Sequence, residues 1–481
     1  MNTSIISHYS DFQPSFNYKF FEVRNAIHTS SQIPVTIWTF NISEFVKNHQ
    51  DYAIDKIKNA VEKLWVNLNA LKRISHPNLL RIYETTDEDS EPGIISFSSE
   101  QVKYCLDGSF FKGSANTISS FSKDESLFIA SQLSDGLSYL HDQLNVASFG
   151  ICPENIFITP NFDIKIGTLI HFAKFSEPLS VIEPNLYPSQ SSIFDIDKRF
   201  LSPELKTHNN ITSKVDVFMF GITILYCYEG EGFLNEMASS QSSESAFLLD
   251  FLNGSKSTNT PEDMKLILSK CLSDDPSERP TFQQLSDTDA LTQLLIKALN
   301  FIDSIETKPI ASHKSFYKGL SGIIDQFSER ILLLKIIPIL VEDACTNSDN
   351  ESLQLDHILP ILLTASLKIS AKEIDAKIMK RLFDYEACQN FFLENCRNFL
   401  SNEDENNDVY KRIPLIGVVI LNSYRDENTK ERGVYLMKML FEQFANLDQD
   451  DFKETILKPL FRSSDCAILF LFYIQTIDEG D

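Results

Sequence analysis

The stretch Ser148-Phe149-Gly150-Ile151-Cys152-Pro153-Glu154-Asn155-Ile156 carries the question of chemistry. It follows a helix-spaced run at 127–141 and precedes the alternating apolar residues of 157–166. In phosphoryl transfer, a loop in this setting reads H-R-D-L-x-x-x-N, where the Asp accepts the proton of the attacking hydroxyl and the Asn holds a metal ion. Asn155 fits the last position. Counting back, Ser148 stands for the His, Phe149 for the Arg and Gly150 for the catalytic Asp, so the carboxylate has become a hydrogen atom.

The other anchors of that chemistry are replaced as well. Thr168-Leu169-Ile170 lies where D-F-G would supply the main magnesium ligand, and a hydroxyl cannot replace the anionic oxygen that a hard cation needs. Asp163 is the nearest carboxylate that could shift into the role, but it stands five residues early. Val35-Thr36-Ile37-Trp38 sits where V-A-I-K would bring an ammonium to the nucleotide phosphates; Trp38 puts an indole there. A phosphate cradle needs glycines, because backbone N–H groups approach phosphate only where no Cβ intervenes, and the first glycine of the chain is Gly93. Counting back from His76-Pro77-Asn78 puts Asn67 where a glutamate would pair with the missing lysine, so the two losses agree.

Certain elements must position these residues. Residues 17–23 and 33–41 alternate as strands, separated by the polar stretch 28–32. Residues 51–71 are helix-spaced, 79–83 read as a strand, and 93–101 read as a strand entering a connector. After the Gly/Ser-rich stretch 108–120, Ser122 and Glu125 form a capping box for a buried helix that delivers the chain to Ser148. Residues 177–198 are Pro/Ser-rich and irregular, and 231–260 read as a Ser/Asn-rich insertion in loop form.

Leu201-Ser202-Pro203-Glu204 matches A-P-E. Asp216-Val217-Phe218-Met219-Phe220-Gly221 matches the D-V-W-S-L-G start of a buried helix, and Pro276-Ser277-Glu278-Arg279-Pro280 matches D-P-x-x-R-P. With the earlier motifs in the same order, residues 17–288 resemble a protein kinase domain and look like the Scy-like pseudokinases. The resemblance implies an α+β two-lobed protein kinase-like fold followed by an all-α HEAT-like helical repeat region at 289–481. It also implies Glu204 and Arg279 as a buried ion pair, and Asp216 as the brace of the loop backbone. Beyond Leu291 strand signals stop. Ile336-Ile337-Pro338-Ile339-Leu340 and Ile358-Leu359-Pro360-Ile361-Leu362 look like one element twice, and Val434, Met437, Phe441 and Phe444 line one face of a later helix. Segments 316–340 and 357–363 are similar to the start of the HEAT region in the coated-vesicle-associated branch of that family.

Composition narrows the function classes. The chain has 481 residues, 43% of them hydrophobic, which is ample for packed cores. The net charge of −24, with no basic arm, argues against nucleic acid as a partner. The 8 cysteines are scattered without metal spacing and read as reduced thiols of a cytoplasmic protein. No membrane span or lipid-anchor motif is evident, so membrane contact is expected to be indirect. Three functions compete. The first, implied by the resemblance, is a catalytically inactive scaffold in vesicle-mediated traffic at Golgi or endosomal membranes, holding clathrin coat or adaptor subunits. The second is a weak or atypical ATP-binding serine/threonine kinase relying on Asn155 and Lys19. The third is a general helical-repeat adaptor. The vacated positions predict no cofactor and argue against ATP, with Asn155 the one retained candidate for binding it.

Overall fold

The computed structural model describes residues 5–48, 54–86, 93–108, 121–167, 172–174, 196–207, 212–240, 244–254, 256–346, 353–366, 368–369, 377–378 and 380–382. Two compact units divide the chain, Met1–Ile296 and Lys297–Asp481. The first is a two-lobed, kinase-like α+β unit.

Its sheet lobe contains β1 (Tyr9–Ser10), β2 (Phe16–Tyr18), β3 (Phe21–His28), β4 (Pro34–Asn41), β5 (Ile82–Thr85) and β6 (Ile94–Glu100), in the antiparallel order β1-β3-β4-β6-β5 with β2 paired to β3. Helix α1 (Ile42–Asn48) follows β4, and α2 (Ile54–Leu71) sends Ile57, Leu64, Trp65, Leu68 and Leu71 into the core under the sheet. Ile57, Ala60, Leu64, Leu68 and Leu71 recur at three- and four-residue spacing, so one face of α2 is apolar and is removed from water.

Three readings of the sequence are corrected. Residues 17–23 are not one strand: the chain reverses at Lys19-Phe20, and Tyr18 pairs with Phe21 across the turn. Alternation continues through this tight turn and conceals it, because Lys19 adopts a left-handed φ of 51° where glycine or asparagine is usual. The strand expected at 79–83 runs instead over Ile82–Thr85, and Leu79 makes only an isolated bridge to Ile166. Segment 231–260 is not a loop. It holds the helices Glu231–Ser239 and Glu244–Asn253, because Phe233, Leu234, Met237, Leu248, Phe251 and Leu252 are buried at helical spacing among the polar residues.

The helical lobe is built on α3 (Lys123–Ser138), where the Ser122 N–H donates to Glu125 Oε2 at 3.0 Å, and on the buried helix Lys214–Glu229. Between them, Ile156–Ile158 and Ile164–Ile166 form a short antiparallel hairpin. In the second unit the described residues form helices. Two of them enter through a π-turn, Leu332–Ile336 before Ile337–Thr346 and Gln354–Ile358 before Leu359–Ser366. The repeated Pro338 and Pro360 explain the shared shape. Proline lacks an N–H and crowds the carbonyl four residues back, and one wide turn relieves both. The helix expected around Val434, Met437, Phe441 and Phe444 lies outside the described residues.

Candidate functional site: the cleft between the lobes

The β2–β3 turn sets the top of the cleft. Tyr18 is buried, and its hydroxyl donates to the Glu154 carbonyl at 2.5 Å. Burial, then the neighbouring Cys105, Cys152, Glu154 and Asp107, pushes this phenol well above its ordinary range, so it remains a donor. The next residue follows it across. Lys19 Nζ lies 2.9 Å from Asn155 Oδ1 and 3.2 Å from Glu154 Oε2.

Trp38 fills the middle. It is wholly buried and stacks on Phe97, its register partner in β6, with ring centroids 5.6 Å apart and planes 5° from parallel. Tyr18, Phe21 and Phe157 meet it edge-on at 5.8, 5.9 and 5.3 Å. Phe157 comes from the helical lobe's hairpin, so this aromatic cluster packs lobe against lobe and leaves aromatic carbon where phosphates would need cations. Glycine is required at 167, because a Cβ there would stand 2.1 Å from the Phe157 ring.

The connector is closed by its own side chains. A planar ligand entering beneath the sheet would be oriented by backbone groups of this strand end. The Val102 N–H already donates to Thr36 Oγ1 at 3.0 Å, and that hydroxyl donates to Asn25 Oδ1 at 2.7 Å. The Glu100 carbonyl accepts from Ser99 Oγ at 2.9 Å, which in turn accepts from Trp38 Nε1 at 2.9 Å. Thr36, Ser99 and Trp38 therefore satisfy with protein groups what a base would otherwise have to meet.

The floor keeps the frame of a catalytic loop. Asp216 is fully buried; Oδ1 accepts from the Phe149 N–H at 2.7 Å, and Oδ2 accepts from the Ser148 N–H at 2.7 Å and faces His141 Nε2 at 2.8 Å. This holds Phe149 at a φ of 52° with its ring buried. Asn155 Nδ2 donates to the Gly150 carbonyl at 2.9 Å, so both ends of its amide are engaged. Burial pushes the Cys152 thiol up to about 12, so it stays protonated. Asp163 is turned to other work. It sits in the hairpin turn, where Thr159 Oγ1 accepts from its N–H at 3.0 Å and donates to its Oδ2 at 3.3 Å. The other end of that hairpin is the one near Asn155, whose carbonyl accepts from the Gly167 N–H at 2.9 Å.

Asn67 is buried in α2, with no hydrogen-bond partner for Nδ2 among the described residues. Glu204 and Arg279 meet in the helical lobe, Oε1 to Nη1 at 2.6 Å; the guanidinium also donates to the carbonyls of Ser273 and Lys214 and lies over the Phe218 ring. Thr168 lies outside the described residues. Sequence reasoning named Asn155 and Lys19 as candidates for an atypical kinase, not as partners of each other, and missed the roles of Tyr18, Thr36, Ser99 and Val102. Thr36 and Ser99 take their roles from the register of β4 on β6, and Tyr18 takes its role from the β2–β3 turn, neither of which a local pattern encodes.

Comparison with known proteins adds to this geometry. The protein kinase domain family matches residues 20–290. The chain is similar to the protein kinase-like protein SCY1 of Saccharomyces cerevisiae, 25% identical over 343 residues that cover 65% of this chain and 42% of the yeast protein. It is similar also to SCY1-like protein 2 of Homo sapiens, 23% identical over 361 residues, 71% of this chain and 38% of the relative. A third relative, the probable inactive serine/threonine-protein kinase scy1 of Dictyostelium discoideum, is 21% identical over 406 residues, 80% of this chain and 44% of the relative. The chain thus spans less than half the length of each.

Proposed function

Because the chain belongs to the protein kinase family, in its Scy-like group, we propose that it works as a catalytically inert kinase-like scaffold in vesicle-mediated membrane traffic. The observation that carries the inert half is Trp38, wholly buried, with its one polar atom bonded to Ser99 and aromatic rings packed around it. Phosphoryl transfer depends on positioned charge, and the lysine and catalytic-Asp positions hold an indole and a glycine. The probable inactive Dictyostelium relative supports the same reading.

The traffic half rests on the likeness of segments 316–340 and 357–363 to the coated-vesicle-associated branch, and on the physical role left to such a chain. A kinase fold without turnover, joined to helices, offers surfaces, and helical arrays bind protein partners along them. Clathrin coat or adaptor subunits at Golgi or endosomal vesicles are the proposed partners. No helix of the described residues is long and apolar enough to cross a membrane, so membrane contact would go through the coat.

A ligand stabilises a protein in proportion to its occupancy, so millimolar Mg²⁺–ATP should leave the melting temperature of the chain unchanged. Phosphate incorporation that depends on Mg²⁺–ATP and disappears in Asn155→Ala would overturn the inert reading in favour of the atypical kinase.

A further inference from the structure

We infer that Lys19 is a built-in cation that bridges the two lobes through Asn155 and Glu154, so that the closed arrangement of the cleft needs neither metal nor nucleotide. The inference rests on the inert reading of the cleft and adds what holds that cleft shut.

Three observations converge on the turn at Lys19. The first is charge. The ammonium meets one neutral amide oxygen at 2.9 Å and one carboxylate oxygen at 3.2 Å. A divalent cation in the same place would want further anionic oxygens, as phosphates supply; a single ammonium facing a single carboxylate is balanced without them. The second is direction. Tyr18 and Lys19 are adjacent, yet both reach the pair Glu154 and Asn155 some 136 residues away, one to a backbone carbonyl and one to side chains. The turn is therefore anchored at two points, and a tethered side chain is present at its site at high effective concentration. The third is conformation. Lys19 has a φ of 51°, which any residue with a Cβ adopts reluctantly, and the Tyr18–Phe21 pairing holds it there. The strained turn aims the ammonium downward. Its side chain is only 18% exposed, so solvent screens the contact in part and not wholly.

Asn155 is thereby given a use that does not involve metal. Its Oδ1 receives Lys19 and its Nδ2 braces the Gly150 carbonyl, so the residue ties the β2–β3 turn to the loop held by Asp216.

The test is hydrogen exchange on the full chain without nucleotide, comparing wild type with Lys19→Met, Lys19→Arg and Glu154→Gln. Lys19→Met should raise exchange in the peptides covering 16–28 and 150–167 by about fivefold, as loss of a partly exposed pair would, and leave 214–229 unchanged. Lys19→Arg should stay near wild type, and Glu154→Gln should show a smaller rise in the same peptides. Raising salt to about 0.5 M should mimic the methionine variant in wild type and add nothing to it. Equal exchange in wild type and Lys19→Met, or a rise spread evenly over the chain, would overturn the bridge while leaving the inert reading intact. Stabilisation of wild type by metal-free ADP that is lost in Lys19→Met would overturn it differently, by making Lys19 a phosphate ligand.

Discussion

Trp38 shows why restoring single residues should not restore chemistry. Lysine at that position would place an ammonium among Tyr18, Phe21, Phe97 and Phe157, while the position expected to supply its carboxylate carries Asn67. Trp38→Lys, alone or with Gly150→Asp, should incorporate no phosphate from Mg²⁺–ATP. It should cost about 3–5 kcal/mol for the lost ring, and more for the unpaired charge, read from urea unfolding. Phosphate transfer by the double variant would show that the cleft reopens. Glu204 gives a second expectation. Its pair with Arg279 is one-armed, since Oε2 and Nη2 have no partner among the described residues. Glu204→Ala leaves the guanidinium buried with two carbonyls and the Phe218 ring, so the loss should fall near the lower end of about 3–5 kcal/mol. A midpoint equal to wild type would mean that those remaining contacts suffice.

Among the elements, the junction after α2 carries a pH dependence. His76 stacks on Tyr139 at 4.5 Å, and its Nδ1 accepts from the Asn78 N–H at 3.1 Å, which requires that nitrogen to be unprotonated. Burial, then Lys165, lowers the His76 pKa in the folded protein. With the folded value below the unfolded one of about 6.5, the unfolded chain takes up the proton first as the pH falls. The contribution of neutral His76 is therefore complete above about 6.5 and is lost as the pH drops through its folded value. Melting temperatures measured between about pH 7 and pH 5.5 should fall in wild type and fall less in His76→Gln. Identical slopes would place the titration elsewhere. The helices Glu231–Ser239 and Glu244–Asn253 illustrate the opposite case, in which polar composition suggested a loop and a few well-spaced apolar residues were enough to bury two helices.

For the whole molecule the expectation concerns location. A net charge of −24 disfavours attraction to anionic lipid, and the proposed vesicle association is expected to run through a protein partner. If the helical region makes that contact, the intact chain cosediments with Golgi or endosomal vesicles and removing residues 291–481 releases it to the soluble fraction. Recovery of a truncated chain that still cosediments would move the contact to the kinase-like unit. An intact chain that never cosediments and brings down no coat subunit would favour the general adaptor.

Motif order was legible in the sequence because each motif is local: Asn155, Glu204, Asp216 and Arg279 stand at fixed distances from their own elements, and that order is enough to identify a two-lobed fold. The losses at Trp38 and Gly150 were legible for the same reason, since a missing charge can be read from one letter. Which groups close around that indole was not. Tyr18 and Lys19 meet Glu154 and Asn155 only after the chain reverses at a turn that contains no glycine. Thr36 closes the connector only because β4 and β6 pair in one register, Thr36 opposite Ser99 and Trp38 opposite Phe97. Local sequence determines which groups are absent; long-range pairing decides which groups take their place.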